Sequence, residues 1–127
     1  GAKHYLLTAI NLNPSFAEAY HNLGIVYLNQ DETQKAIDSY LKSIRFDPKL
    51  IDNYNHLAFI YDQQGDSQKT IDVLKKGLTI DPKNSELHTN LGITLANNKK
   101  IEEAIIELET ALNLDQGNSK AKNVLES

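Results

Sequence analysis

Histidines, asparagines and carboxylates are the side chains of this 127-residue sequence that could do chemistry. The four histidines are His4, His21, His56 and His88, and there is no cysteine. The absence of cysteine excludes thiolate nucleophiles, disulfides and cysteine-ligated zinc. No Ser/His/Asp arrangement, glycine-rich phosphate loop or inward-facing pair of carboxylates stands out. We therefore expect that the protein is not an enzyme and carries no cofactor.

The composition argues against further classes of function. The formal net charge is −4, whereas a nucleic-acid-binding domain would need a basic stripe. No apolar run approaches the roughly 20 residues that span a bilayer, and no segment looks like a signal peptide. We expect no nucleic acid partner, no membrane insertion and a cytoplasmic location.

A helical repeat positions the polar side chains. A 34-residue stretch recurs along the chain, and each copy contains two segments with apolar residues at spacings of three and four. Because the connections are only about 2–5 residues long, neighbouring helices must be antiparallel. We predict a single all-α domain over residues 1–127 with about seven or eight helices. Its expected parts are the second helix of a truncated repeat at 1–16, complete repeats at 17–50, 51–84 and 85–118, and the start of a further or capping helix at 119–127.

Local signals predict where the helices begin and end. Ser15 with Glu18 three residues on predicts a capping box at the start of a helix over 17–30. An Asp-Pro pair ends the second helix of the first two complete repeats, because the residue before proline is pushed out of the α region. Gln116 replaces this proline in the third repeat, so we expect the last helix there to end differently.

The turn inside each repeat needs an unusual backbone conformation. Gly65 predicts a left-handed C-cap at this turn. The third repeat has Asn98 and Lys99 there instead, so we expect a positive φ at Asn98 or Lys99, at some energetic cost.

Small and large residues recur at fixed positions of the repeat, counted from Ala17, Ile51 and Ser85 as position 1. Small residues at positions 8 and 20 let the two helices of a hairpin approach closely. Large residues at positions 4, 7, 11 and 24 fill the space around that contact. Position 4 holds Tyr20, Tyr54 and His88, position 8 holds Gly24, Ala58 and Gly92, position 20 holds Ala36, Thr70 and Ala104, and position 24 holds Tyr40, Leu74 and Leu108.

This pattern resembles the tetratricopeptide repeat over essentially the whole chain. The stretch A-x-A-Y-x-N-L-G at residues 17–24 resembles the repeats of O-GlcNAc transferase and its bacterial relatives. The resemblance implies a right-handed α-solenoid of antiparallel helix hairpins, with a concave ligand groove lined by positions 2, 5, 6, 9, 12 and 13. The groove residues that it implies are Glu18, His21, Asn22, Ile25, Asn29, Asp52, Asn55, His56, Phe59, Asp62, Gln63, Glu86, Thr89, Asn90, Ile93 and Asn97.

Each set of groove residues has two interpretations. Asparagine at position 6 could pair with the peptide groups of an extended ligand, as the similar transferases imply, or could simply be tolerated on a wet face. The apolar residues at position 9 could bind an apolar ligand segment or pack between successive first helices. The acids at position 2 could attract Lys or Arg, although complementing the helix dipole is the simpler account. Position 6 holds Asn22, His56 and Asn90, position 9 holds Ile25, Phe59 and Ile93, and position 2 holds Glu18, Asp52 and Glu86.

Position 5 bears on two specific ligands. Some chaperone adaptors with this fold hold a C-terminal carboxylate with lysine at position 5 and asparagine at position 9. Position 5 here is His21, Asn55 and Thr89 and position 9 is apolar, so we expect no binding of acidic chaperone tails. His21 and His56 could approach each other across adjacent repeats, which suggests a metal site, but no third ligand has the right spacing.

The leading hypothesis is a protein-interaction scaffold that binds a peptide or helical segment of a partner in the concave groove. An alternative is self-association, because Leu6, Ala9 and Ile10 of the N-terminal helix would lack a partner helix and leave an exposed apolar face. A third is the substrate-recruiting arm of a larger enzyme, such as a glycosyltransferase.

Overall fold

The computed structural model describes all 127 residues, Gly1–Ser127, and contains eight α-helices and no strand. The all-α prediction is therefore confirmed. The chain divides into an N-terminal unit, Gly1–Ile60, and a C-terminal unit, Tyr61–Ser127. The helices are α1 (Ala2–Leu12), α2 (Ala17–Asn29), α3 (Thr33–Phe46), α4 (Asp52–Gln63), α5 (Ser67–Ile80), α6 (Ser85–Asn97), α7 (Ile101–Leu114) and α8 (Ser119–Glu126).

The helices α3, α5 and α7 end at equivalent residues, whether or not proline follows. All three are 14 residues long. The expectation that α7 would end differently is wrong, because aspartate provides the stop in both units. Asp47 Oδ1 accepts a hydrogen bond from the Lys49 amide at 3.0 Å, and Asp115 Oδ1 accepts one from the Gly117 amide at 3.1 Å. Such an Asx turn redirects the backbone without proline.

A left-handed residue occupies the same place in three turns. Gly65 has φ 75°, Lys99 has φ 64° and Asp31 has φ 60°. The predictions for Gly65 and Lys99 are confirmed, whereas Asp31 was not predicted. An L-residue in this conformation costs about 1–2 kcal/mol because its Cβ crowds the following carbonyl oxygen.

The start of α2 differs from the prediction. Its N-cap is Phe16, and no side chain caps the helix. Ser15 instead donates its hydroxyl to Asn13 Oδ1 at 3.1 Å. The capping-box prediction is wrong because this local side-chain contact occupies Ser15.

Close contacts at glycine hold the helix hairpins together. A Cβ atom added to Gly24 of α2 would lie 2.7 Å from the Tyr40 ring of α3. A Cβ atom added to Gly92 of α6 would lie 2.7 Å from Leu108 of α7. The small residue at position 8 therefore meets the large residue at position 24 in both hairpins, as close helix packing requires.

The apolar face of α1 is covered, contrary to expectation. Leu6 is buried with Ala19 and Leu23 of α2, and Ala9 and Ile10 pack against the same cluster. The other side of α1 is the exposed one, since Tyr5 is 73% and Leu12 84% exposed.

Two large apolar residues of the second helices of repeats, Leu41 of α3 and Ile105 of α7, are exposed. Leu41 lies at the position that is Lys75 and Glu109 in the other repeats, which is a solvent-facing position. Ile105 is also exposed, because α7 turns Leu108 and Ala111 rather than Ile105 into the cluster it forms with α8.

Candidate binding clefts

Each unit contains an open cleft beside the first helix of a repeat, which is α2 in the N-terminal unit and α6 in the C-terminal unit. The two clefts are built from equivalent residues. The first cleft measures about 390 Å³ and the second about 290 Å³. Every residue of the first has its counterpart, two repeats further on, in the second. The first cleft is lined by Glu18, His21, Asn22, Lys49, Leu50, Ile51 and Asp52. The second is lined by Ser85, Glu86, Thr89, Asn90, Asp115, Gly117, Asn118, Ser119 and Lys120.

The clefts collect some of the sequence-predicted groove residues. In the first cleft these are Glu18, His21, Asn22 and Asp52. In the second they are Glu86, Thr89 and Asn90. The predicted residues that line neither cleft are Ile25, Asn29, Asn55, His56, Phe59, Asp62, Gln63, Ile93 and Asn97.

The predicted residues outside the clefts differ in exposure. Phe59 is 54% exposed, whereas Ile25 is half-buried. Ile93 packs against the cluster around Leu108 and Ala111, so in the C-terminal unit position 9 contributes to packing. Asn29, Asp62, Gln63 and Asn97 are exposed, and Asn55 and His56 are half-buried.

A chain of hydrogen bonds fixes the side chains behind the first cleft. Ser43 donates to the carbonyl oxygen of Ala17 at 2.8 Å, and Asn53 Nδ2 donates to Ser43 Oγ at 2.8 Å. Asn53 Oδ1 lies 2.7 Å from His21 Nδ1. Both Ser43 and Asn53 are fully buried, so these bonds compensate for the lost hydration of their polar groups.

Three rings meet beside this chain. His21 stacks on His56 with ring centroids 5.1 Å apart, so the predicted approach of the two histidines is confirmed. The Tyr40 ring meets the His56 ring edge-on at 5.3 Å. The structure contains no group of three or more metal-ligating side chains around them. The Tyr40 hydroxyl is buried without a hydrogen-bond partner, and burial raises the pKa of Tyr40 to about 12.

The second cleft has a different network. Asn118 Nδ2 donates to Ser85 Oγ at 2.9 Å and to Thr89 Oγ1 at 2.8 Å. Thr89 donates its own hydroxyl to the carbonyl oxygen of Ser85, and Ser85 donates to that of Ala111. Thr89 is 2% exposed, so its hydroxyl makes its hydrogen bonds inside the protein. At the edge of the cleft, Lys120 Nζ donates to Asn90 Oδ1 at 3.3 Å.

Position 4 serves the architecture. Tyr20 and Tyr54 donate their hydroxyls to the carbonyl oxygens of Pro14 and Pro48, six residues earlier. His88 replaces tyrosine and makes the same contact, with Nε2 donating to the carbonyl oxygen of Pro82 at 2.7 Å.

Sequence reasoning missed several residues of the clefts. Lys49, Asp115 and Lys120 line them but lie in or beyond the connection between repeats, outside the first helix. Asn53 was missed because position 3 is buried. The sequence did contain a signal, because the other repeats have the apolar residues Ala19 and Leu87 at this position.

Family models identify the repeat. Models of the tetratricopeptide repeat match residues 63–127, 17–50 and 39–72. The first match alone covers more than half of the chain, so the chain belongs to the tetratricopeptide repeat family. Repeats of this family are typically non-enzymatic interaction modules. A search among curated proteins found no match.

Solved structures share the fold. MamA is 27% identical with a TM-score of 0.82, and the match covers 93% of this chain and 69% of MamA. The first tetratricopeptide repeat domain of Spaghetti (RPAP3), bound to the HSP90 peptide SRMEEVD, is 23% identical with a TM-score of 0.79, covering 87% of each chain. YrrB, which has an unusual peptide-binding site, is 22% identical with a TM-score of 0.76, covering 94% of this chain and 61% of YrrB. The predicted all-α solenoid fold class is confirmed.

None of the eight helices has the length and apolar character needed to cross a membrane.

Proposed function

We propose that this chain is a protein-interaction scaffold that binds a peptide segment of a partner in the two clefts beside α2 and α6. The observation that carries this proposal is the recurrence of the same cleft in both units, with an asparagine at position 6 of each. Asn22 lines the first cleft and Asn90 the second. An asparagine side chain both donates and accepts, so it can pair with the N–H and C=O groups of a ligand backbone.

The solved structures with this fold support a peptide ligand. Spaghetti (RPAP3) was solved with an HSP90 peptide, and YrrB has a peptide-binding site. At 23% and 22% identity the likeness to them concerns the fold, and the ligand depends on the side chains of the clefts in this chain. We expect no saturable binding of the acidic HSP90 peptide here. His21 and Thr89 stand where a carboxylate clamp needs lysine, and Glu18 and Glu86 would repel its acids.

The test begins with selection of binding peptides from a random display library. We then expect Asn22→Ala or Asn90→Ala to weaken binding of the selected peptides by roughly 2- to 12-fold, as the loss of one net hydrogen bond predicts. The melting temperature should stay near that of wild type, because neither amide is buried in a core cluster.

Asn113→Ala is the matched control, since Asn113 is an exposed asparagine of α7 outside both clefts. Peptides that bind wild type, Asn22→Ala and Asn90→Ala equally would show that the clefts are not the binding surface. The HSP90 peptide provides the comparison ligand in the same assay.

The apolar surface of α1 that remains for self-association differs from the one that the sequence predicted. The Leu6 face of α1 is covered, and the exposed apolar residues there are Tyr5 and Leu12. Light scattering of wild type and a Tyr5→Lys, Leu12→Lys variant over a range of concentrations tests this candidate. Equal mass for both proteins at all concentrations would contradict it.

The O-GlcNAc transferase resemblance, the role as the recruiting arm of a larger enzyme and the cytoplasmic location remain predictions. The sequence of the whole protein decides the first two, and localisation of the tagged protein decides the third.

A further inference from the structure

The hydrogen bonds behind the first cleft determine which ring nitrogen of His21 carries the proton. The carbonyl oxygen of Ala17 only accepts, so the Ser43 hydroxyl must donate to it. Ser43 then has only acceptor capacity left, so the group of Asn53 that faces it is the amide nitrogen. The oxygen of Asn53 therefore faces His21 Nδ1, and Nδ1 must donate. Neutral His21 is the Nδ1–H tautomer, with its lone pair on Nε2.

The Nε2 atom of His21 is an acceptor available to a ligand. It has no hydrogen-bond partner within the protein and is not among the buried polar atoms. The His56 ring stacks on His21, and the bond to Asn53 holds the other nitrogen, so the imidazole has a fixed orientation. His21 lines the first cleft, and this acceptor is therefore preorganised there.

The charged residues of the first cleft favour a cation. Glu18 and Asp52 contribute two negative charges, and Lys49 contributes one positive charge. A lone pair beside an excess of negative charge suits a positively charged N–H donor and repels a carboxylate.

The second cleft has the same balance of charge, from Glu86, Asp115 and Lys120, but it lacks the imidazole acceptor. Thr89 replaces His21, and its hydroxyl already donates to Ser85 and accepts from Asn118. The two clefts therefore share their shape but differ in the chemistry that they offer.

We infer that the first cleft binds a basic side chain, arginine or lysine, of the partner peptide, with His21 Nε2 accepting a hydrogen bond from its cationic group. Glu18 and Asp52 supply the complementary charge. This inference rests on the proposed function and specifies the ligand of one cleft.

The tautomer can be measured without any ligand. Nitrogen-15 NMR of the histidine rings near pH 8 distinguishes an N–H nitrogen from one with a lone pair. We expect His21 to carry its proton on Nδ1, and Asn53→Ala should remove this preference. A proton on Nε2 in the wild-type protein would overturn the inference.

The ligand class is tested with N-acetyl-arginine-N-methylamide and its citrulline analogue, which is nearly the same shape but neutral. We expect the arginine compound to shift the His21 ring and Asn22 amide resonances, and the citrulline compound to bind at least about 5-fold more weakly. Glu18→Gln and Asp52→Asn should each weaken the arginine compound by about 2- to 5-fold. His21→Phe keeps a ring but removes the acceptor, and should weaken it similarly.

Glu86→Gln is the matched control, because it makes the same charge change at the equivalent position of the second cleft. Glu18 and Asp52 are exposed, so their variants should fold, and circular dichroism verifies this. Equal binding of the two compounds, or equal effects of Glu18→Gln and Glu86→Gln, would overturn the inference.

Library-selected peptides separate this inference from the proposed function. If selection yields peptides that depend on Asn22 but have no basic residue and ignore Glu18→Gln, the proposed function holds and the inference fails. If the arginine compound binds as described but no peptide is selected, the cleft chemistry holds and the proposed function fails.

Discussion

Replacing Gly24 tests the packing that shapes the N-terminal unit. Gly24 lies in α2, where an added Cβ atom would stand 2.7 Å from Tyr40 Cε1 and 2.8 Å from both Cδ1 and Cζ. Favourable carbon–carbon contacts lie near 3.5–4.0 Å, so the ring would have to move by roughly 1 Å. Tyr40 is fully buried and its ring also contacts His21 and His56, so there is no open space to receive it.

Two opposing effects set the size of the change. Alanine is better than glycine in a helix by about 0.8–1.0 kcal/mol. Overpacking a core costs typically about 1–3 kcal/mol. We therefore expect Gly24→Ala to lower the free energy of unfolding by about 0–2 kcal/mol. Gly24→Leu adds three more carbons at the same point and should cost more than about 2 kcal/mol.

The assay is urea unfolding followed by circular dichroism and by fluorescence of the six tyrosines, since the chain has no tryptophan. Gly117→Ala is the control, because its Cβ would meet its nearest neighbour, Asp115 Oδ1, at an ordinary 3.4 Å. A Gly24→Leu protein that unfolds at the wild-type urea concentration would refute the α2–α3 packing described above.

Three further substitutions test buried polarity and backbone strain. Tyr40→Phe removes a buried hydroxyl without a partner and should leave stability unchanged or raise it by about 1 kcal/mol near neutral pH. Because burial raises the pKa of Tyr40 to about 12 from 10.0, wild type should lose about 2 kcal/mol as the pH rises from 10 to 12. Tyr40→Phe should lack that part of the loss in alkaline urea titrations. Lys99→Gly should stabilise by up to about 1 kcal/mol and Gly65→Ala destabilise by about 1 kcal/mol, since both residues have positive φ. Thermal melts measure both, and changes of the opposite sign would contradict the strain argument.

The helices were predictable because their limits depend on residues close in sequence. Phe46 and Ile80 end α3 and α5 one residue before the aspartate of an Asp-Pro pair, as predicted. The strain at Lys99 could also be predicted, because the equivalent turn has glycine. The same reasoning applies to Asp31, which lies one repeat before Gly65 and has φ 60°, although this conformation was not predicted.

The clefts were only partly predictable, because their chemistry depends on contacts between helices. Repeat position suggested that His21 and Thr89 would face a ligand. The structure gives Thr89 internal partners and leaves one nitrogen of His21 open. That difference depends on Asn53 and Asn118, which approach from outside the helix that carries His21 or Thr89. The position of a residue within its own helix therefore does not predict it.

The two networks show how one repeat can form different hydrogen bonds behind its cleft. In the N-terminal unit, Ser43 of α3 donates to the carbonyl oxygen of Ala17 in α2, whereas in the C-terminal unit Ser85 of α6 donates to that of Ala111 in α7. The hydroxyl has moved to the opposite helix, yet the helix-to-helix hydrogen bond persists.

The consequence of this exchange lies in what each serine can do next. Ser43 accepts from Asn53, which orients His21 and leaves an acceptor in the first cleft. Ser85 accepts from Asn118, which also occupies the hydroxyl of Thr89 and closes the network. Packing thus sets the shape of both clefts, while a few polar exchanges behind them set which hydrogen-bonding groups each cleft presents. Substitutions at Glu18 and Glu86 should consequently affect different features of a bound peptide, although both residues occupy position 2.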